Sequence, residues 1–98
     1  MLKKHAISVE SLVTQKQGNI ISNMDGEIVM MSVNNGKYYN LGNIGGMIWS
    51  LMNNPTKVLQ IVRSLQEQFT IEQEECEKQV LAFLNQMLQE GLLQVDDH

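Results

Sequence analysis

The chain has 98 residues, and its seven Lys and Arg against eleven Asp and Glu give a net charge of −4. This length supports one domain with a modest core, which excludes a large enclosed active-site cavity and favours a small binding module. The acidic balance argues against a nucleic-acid partner, because proteins that bind phosphate backbones usually carry a basic patch. Cys76 is the single cysteine and no apolar run has the length of a signal peptide or membrane span, so a soluble protein of the reducing cytoplasm is expected.

The first residues carry little pattern. They predict a flexible N-terminal lead-in over residues 1–17, in which the one suggested element is a short strand at 11–14. The domain is expected to cover residues 18–95.

Two turn signals divide the next stretch into strands. Asp25-Gly26 and Asn35-Gly36 are pairs that tolerate positive φ in two-residue hairpin loops. The predicted strands are 19–24, 27–34 and 37–42. Together they make a three-stranded antiparallel β-meander.

The second turn also predicts a register. With a two-residue loop at Asn35-Gly36, Ser32 would face Tyr39 and Met30 would face Leu41. Side-chain alternation then assigns Ile21, Ile28, Met30, Tyr39 and Leu41 to one face, and Ile20, Val29, Met31, Val33 and Tyr38 to the other. A sheet backed by helices on one side needs only one apolar face, so the second suggests a surface that something else covers.

Three helices are expected after the meander. Apolar residues at helical spacing predict them at 43–53, 57–68 and 71–90. Thr56 is the expected N-cap of the second, Thr70 and Gln73 form a capping-box pattern before the third, and Gly91 should end the third. Residues 92–95 suggest a closing strand. The predicted fold class is α+β and winged-helix-like, a three-stranded antiparallel β-meander followed by three α-helices.

The third predicted strand ends the meander and should be a sheet edge. Natural edges are blunted by proline, inward charges or bulges, and this one offers only Lys37 at its start. An exposed edge beside an apolar helix face is an arrangement that captures an extended peptide as an added strand.

Six short motifs follow one another along the chain. They are Gly26-Glu27-Ile28-Val29, Gly36-Lys37-Tyr38-Tyr39-Asn40-Leu41, Ile48-Trp49, Thr56, Phe83-Leu84 with Leu88, and Gly91-Leu92-Leu93. Together they resemble the PqqD-like family of precursor-peptide recognition elements over about residues 18–95. The Gly-x-Tyr-Tyr-x-Leu block followed by Ile-Trp is the strongest part. Within the family, the chain is most similar to the free-standing leader-binding protein of lasso-peptide pathways.

The resemblance implies a function and a site. It implies binding of the leader of a ribosomally made precursor peptide, and delivery to a transglutaminase-like leader peptidase and an asparagine-synthetase-like cyclase. The family binds its leader antiparallel to the third strand, in a groove closed by the third helix. Carried over by position, the peptide-binding residues are Lys37, Tyr38, Tyr39, Asn40 and Leu41 on the strand, and Cys76, Gln79, Val80, Phe83 and Met87 on the helix.

No catalytic constellation, metal-ligand spacing or phosphate-binding loop is recognisable in the sequence. Cys76 lies between Glu75 and Glu77, whose charges would raise a thiol pKa, so it is predicted to be a small buried hydrophobe. Trp49 is expected in the core. The chain is therefore interpreted as a binding protein and not an enzyme, with no cofactor and no metal.

Two alternatives come from other functional classes. A winged-helix DNA-binding regulator would share the architecture, but the predicted third helix carries five Glu and one Lys and would repel phosphate. A structural dimerisation module that pairs its own edge strands is the other alternative.

Overall fold

A computed structural model describes residues 7–96, which form two small antiparallel sheets and three helices. In chain order the elements are β1 (Leu12–Gln15), β2 (Asn19–Met24), β3 (Glu27–Ser32), β4 (Lys37–Leu41), α1 (Gly42–Leu51), β5 (Thr56–Lys57), α2 (Val58–Gln68), α3 (Gln73–Gln89) and β6 (Leu93–Val95). The predicted α+β class, with a meander followed by three helices, is confirmed. None of the helices described has both the length and the apolar character needed to cross a bilayer.

The meander is the sheet β2-β3-β4, and its first turn forms as predicted. Met24 pairs with Glu27, which leaves Asp25 and Gly26 as a two-residue loop. Their φ angles of 56° and 85° are the two positive values that a type I′ turn requires.

The second turn is longer than predicted. Ser32 pairs with Lys37, so the loop spans four residues, 33–36, and not the pair Asn35-Gly36 alone. Ser32 closes this loop twice: its carbonyl accepts from the Gly36 N–H at 2.8 Å, and its Oγ accepts from the Asn35 N–H at 3.1 Å. Serine at the start of a turn commonly makes such local bonds, and here they stabilise the longer loop.

The predicted register across this turn is therefore wrong by two residues. Met30 faces Tyr39 and not Leu41, and Ser32 faces Lys37 and not Tyr39. A shift of two keeps every side chain on its predicted face, because the side-chain period of a strand is two. The inner face packs on the helices through Met30, which is fully buried, and the outer face leaves Tyr38 74% exposed.

The second sheet, β5-β1-β6, joins distant parts of the chain. Val13, which is fully buried, pairs with Thr56 on one side and Val95 on the other. From residue 7 onward the N-terminal segment is therefore packed into the domain, which differs from the lead-in predicted for residues 1–17. Residues 1–6 of that lead-in lie outside the described residues.

The helices occupy the predicted regions, but two of their N-termini differ. Residue Lys57 precedes α2 and Glu72 precedes α3, and neither makes a side-chain cap. The hydroxyl of Thr56, the predicted cap, instead reaches the Leu51 carbonyl at 2.9 Å and belongs to β5. Gly91 has a φ of 75° after α3, as predicted for a residue that ends a helix.

The core lies between the helices and both sheets, where α1 packs on β3 and α2 packs on α3. Its buried apolar side chains are Ile7, Val13, Met30, Leu41, Ile48, Trp49, Met52, Val58, Ile61, Val62, Leu65, Cys76, Val80, Leu84, Met87, Leu92 and Leu93. Trp49 and Cys76 are thus core residues, as predicted.

Candidate peptide-binding groove

Strand β4 is an edge of the meander, with β3 on one side and no strand on its other side among residues 7–96. The direction of its backbone groups follows from the ladder. Val33 donates its N–H to the Gly18 carbonyl, so odd-numbered residues of β3 face β2 and even-numbered residues face β4. Met30 therefore exchanges hydrogen bonds with its partner Tyr39. The N–H and C=O groups of Tyr38 and Asn40 point away from the sheet and are free to pair with an added strand.

An apolar cavity of about 210 Å³ opens beside the end of β4. Its lining residues come from β4, all three helices and the turn before α3, and they are Leu41, Ile44, Gly45, Ile48, Leu65, Ile71, Cys76, Gln79, Val80 and Phe83. The space between β4 and α3, including this cavity, is here named the β4–α3 groove. A pocket of this size and character can bury one or two apolar side chains of a peptide.

Half of the sequence-predicted site residues line the cavity itself. These are Leu41, Cys76, Gln79, Val80 and Phe83. The predicted residues Lys37, Tyr38, Tyr39 and Asn40 lie along the edge strand that leads to it. Met87 is 4% exposed in the core and lies outside the cavity lining, so the structure does not bring it to the cavity.

The other end of the groove is closed by a polar cluster. The Tyr39 hydroxyl donates to the Glu90 carboxylate at 2.7 Å, which joins β4 to the residue that ends α3. The Asn35 side-chain amide donates to the Tyr39 hydroxyl at 3.0 Å and to the Glu90 carbonyl at 2.9 Å. Lys37 adds an ion pair with Glu90 at 3.8 Å. This cluster fixes the spacing between the strand and the helix.

Carboxylates from the first turn of α3 lie near the cavity end of the groove. At the cavity end, Gln79 donates to the Glu75 carboxylate at 3.0 Å, and Glu74 adds a second carboxylate in the first turn of α3. Acidic side chains are favoured at a helix N-terminus by the helix dipole. Within the cavity, burial and then the nearby Glu77 carboxylate raise the pKa of the Cys76 thiol, which keeps it neutral.

Several residues that line the cavity were not among the site residues predicted from the sequence. Ile44 is 39% exposed at the margin of α1, and this position within the apolar stripe of the helix marks it as a groove residue. Gly45 has no side chain that would have indicated a role in the cavity. A Cβ there would lie 2.9 Å from Phe83 Cε1, so glycine lets α3 approach α1. Ile71 was expected at the start of the third helix, at 71–90, but it precedes α3 and lines the cavity from the turn before that helix.

Two solved structures share this fold. One is TbiB1 in complex with the TbiA(beta) leader peptide, with a TM-score of 0.74, 22% identity, and coverage of 83% of this chain and 94% of that one. The other is lasso peptide synthetase B1 complexed with the leader peptide, with a TM-score of 0.73, 13% identity, and coverage of 84% and 96%. At these identities the likeness establishes the fold, and the leader peptides belong to those two proteins.

Sequence comparison identifies the family directly. No curated protein matches the chain. The family model described as coenzyme PQQ synthesis protein D (PqqD) matches residues 27–93, which run from the first residue of β3 to the first residue of β6. This match includes β4, α3 and every residue that lines the cavity. Since the match covers well over half of the sequence, the chain belongs to the PqqD family.

Proposed function

We propose that this protein binds the leader segment of a ribosomally synthesised precursor peptide as an added strand beside β4. The observation that carries the proposal is the β4 edge, where the backbone groups of Tyr38 and Asn40 point outward next to an apolar cavity. The two solved structures that share the fold are both complexes with leader peptides, which supports the same use of the fold here.

A strand added to β4 would divide its side chains between two environments. Alternate residues would face the helices, as Tyr39 and Leu41 do, and reach the cavity. The residues between them would lie on the outer face with Tyr38 and Asn40. Main-chain hydrogen bonds would then supply affinity for any extended peptide, and the cavity would select an apolar side chain.

The site proposed for the leader keeps the sequence-based residues, with Ile44 and Ile71 added. Lys37, Tyr38, Tyr39, Asn40 and Leu41 would form the strand side, and Cys76, Gln79, Val80 and Phe83 the helix side. Met87 would support the helix from the core instead of contacting the peptide.

The role proposed is presentation of the leader without catalysis. We infer that the bound precursor is delivered in the cytoplasm to a transglutaminase-like leader peptidase and an asparagine-synthetase-like cyclase, as in lasso-peptide biosynthesis. The buried, neutral state of Cys76 supports a binding role, because a nucleophilic cysteine needs an exposed thiolate. The winged-helix-like description stays a prediction. The DNA-binding alternative is not favoured, since the acidic first turn of α3 opposes phosphate. The dimerisation alternative is not favoured as the main function, since both solved structures that share the fold are complexes with leader peptides.

Titration of a fluorescently labelled leader peptide, encoded beside this gene, tests the proposal by anisotropy. Saturation at one site with micromolar or better affinity is expected, which corresponds to about −8 kcal/mol or beyond. Ile44→Glu should weaken binding at least about tenfold, since a charge would replace an apolar wall and one tenfold step is about 1.4 kcal/mol.

The matched control is Val33→Glu, which places the same charge at an apolar residue 58% exposed in the β3–β4 loop. This variant should bind normally. A flat titration with every leader encoded nearby would remove the proposal. Equal losses in both variants would show that the cavity is not the binding site.

A further inference from the structure

The polar cluster at one end of the β4–α3 groove joins two walls that pack mainly on different neighbours. Strand β4 packs on β3 and α1, whereas α3 packs on α2 and β6. At the cavity end, Phe83 lies against Gly45 and sets the approach of α3 to α1. At the opposite end, side chains of Asn35, Tyr39 and Glu90 join the two walls. The width of the groove there depends in part on these hydrogen bonds.

Asn35 bridges the two walls with a single amide group. It donates to the Tyr39 hydroxyl of β4 at 3.0 Å and to the Glu90 carbonyl at the end of α3 at 2.9 Å. An asparagine amide carries two N–H donors, and here there is one for each wall. The last carbonyls of a helix have no partner within the helix, so the Asn35 amide also satisfies an acceptor that α3 leaves open.

The turn itself does not require asparagine at position 35. In the two-residue loop predicted from the sequence, Asn35 would need a positive φ, which asparagine tolerates well. In the four-residue loop its φ is not positive, and its N–H donates to Ser32 Oγ at 3.1 Å. Ser32 is buried, so the loop holds the Asn35 backbone in place. What distinguishes asparagine at this position is therefore its side chain, which reaches both walls.

Glu90 does not stabilise its own helix through its charge. It is the C-cap of α3, where a carboxylate meets the negative end of the helix dipole. Its carboxylate accepts from the Tyr39 hydroxyl at 2.7 Å and pairs with Lys37 at 3.8 Å. The Lys37 side chain is 63% exposed, so the ion pair adds little and the bond to Tyr39 is the main contact. Both contacts connect the end of α3 to β4.

We propose that Asn35, Tyr39 and Glu90 form a clamp that holds β4 and α3 at the separation that a leader strand needs, with Asn35 and Glu90 as positioning residues. This inference rests on the proposed function. An added strand must bond to the backbone of Tyr38 and Asn40 while it places a side chain in the cavity. Both contacts form together only when the walls are correctly spaced, and a groove that is ordered before binding lowers the entropic cost of association.

Anisotropy titration of the labelled leader peptide encoded beside this gene, with thermal melting of the same variants, tests the clamp. Asn35→Ala should raise the leader dissociation constant about three- to tenfold, because two hydrogen bonds are lost. Its melting temperature should stay near that of the wild type, since both bonds are exposed and the φ of this residue suits alanine. Asn35→Asp keeps the shape of the side chain but removes both donors, so it should bind as weakly as Asn35→Ala.

Two further comparisons separate the clamp from a general effect on stability. Asn34→Ala makes the same change one residue earlier, where the amide lies beside Gly18, and should bind the leader normally. Glu90→Ala should weaken binding as Asn35→Ala does. Glu90→Gln should restore most of the affinity, because an amide oxygen can still accept from the Tyr39 hydroxyl.

The outcomes distinguish this inference from the proposed function. Wild-type affinity in both Asn35→Ala and Glu90→Ala overturns the clamp and leaves the leader site beside β4 intact. An affinity loss that parallels a fall in melting temperature, or an equal loss in Asn34→Ala, also overturns it. Wild-type protein that binds no leader removes the proposed function, and the clamp with it.

Discussion

At the residue scale, Gly46 sets how closely α1 approaches the meander. A Cβ at this position would lie 2.7 Å from Ile28 Cβ, which belongs to the middle strand of the sheet. The atom it meets is close to the backbone and cannot move aside as the tip of a long side chain could. Contact between α1 and β3 at this point therefore requires glycine.

Gly46→Ala should destabilise the protein, although alanine is the better helix former by about 1 kcal/mol. Overpacking typically costs about 1–3 kcal/mol, so the steric term should exceed the gain in helix propensity. Urea unfolding would measure the loss. Ser50→Ala, an exposed change on the same helix, is the matched control and should have little effect. An unchanged midpoint for Gly46→Ala would mean that α1 can shift away from the sheet without loss.

Cys76 gives a pH-dependent prediction, because burial raises the pKa of its thiol in the folded protein. An unfolded cysteine releases its proton near its usual pKa of about 8.5, whereas the folded thiol keeps it to higher pH. Between these two values the folded chain holds more protons, so the free energy of unfolding should fall as pH rises. Below the unfolded pKa, the thiol should add no pH dependence.

Denaturant unfolding at a series of pH values from neutral to mildly alkaline would measure this effect. Cys76→Ala lowers stability at every pH by removing a buried group, but its curve should be flatter over the same interval. If the wild type and the variant decline in parallel, groups other than the thiol cause the alkaline loss.

At the element scale, β4 is an edge whose outward backbone groups can be altered without breaking its ladder. Asn40 directs its N–H away from β3, so proline there removes a donor that the folded sheet does not use. Asn40→Pro should therefore weaken leader binding more than Asn40→Ala, at similar melting temperature. Anisotropy titrations of both variants would test this. Asn23→Pro makes the same change on the β2 edge and should leave leader affinity unchanged, whereas normal binding by Asn40→Pro would show that the leader does not pair with β4.

The elements also show which features a sequence can predict. Asp25-Gly26 gave the first turn correctly, because a type I′ loop is determined by the residues within it. Asn35-Gly36 did not predict the second turn, since Ser32 accepts hydrogen bonds from the Asn35 and Gly36 N–H groups and the loop has four residues. The inner and outer faces of the sheet were predictable even so, because the register error was an even number. In the groove, the β4 edge was predictable from its position in the meander.

The cavity was only partly predictable, because its walls depend on tertiary packing. Phe83 was assigned to the groove by resemblance, but its contact with Gly45 depends on how α3 crosses α1. Met87 has the same helical periodicity as the groove residues and nevertheless lies in the core. Periodicity identifies the apolar side of a helix, and it does not separate the buried centre of that side from its margin.

At the scale of the whole molecule, the sheet β5-β1-β6 connects the two ends of the described chain. Residues 12–15 pair with residues 56–57 on one side and 93–95 on the other. Such pairs are separated by about forty or more residues, so no local pattern in the sequence predicts them. This is why the N-terminal segment resembled a lead-in, although Ile7 and Val13 are buried.

The last prediction concerns the start of the folded domain. A truncated chain that begins at Gly18 would lose β1, leaving β5 and β6 without the strand that lies between them. It would also expose the core surface that Val13 and Ile7 cover, at roughly 1.5–3 kcal/mol for each buried side chain. Because small domains are stable by only about 5–15 kcal/mol, this chain should unfold at much lower temperature or lose its cooperative transition. A chain that begins at residue 7 is the control and should melt like the full protein. Calorimetry of the three proteins would decide the boundary. Equal melting temperatures for all of them would show that the domain begins at residue 18, and that the sheet β5-β1-β6 contributes little to its stability.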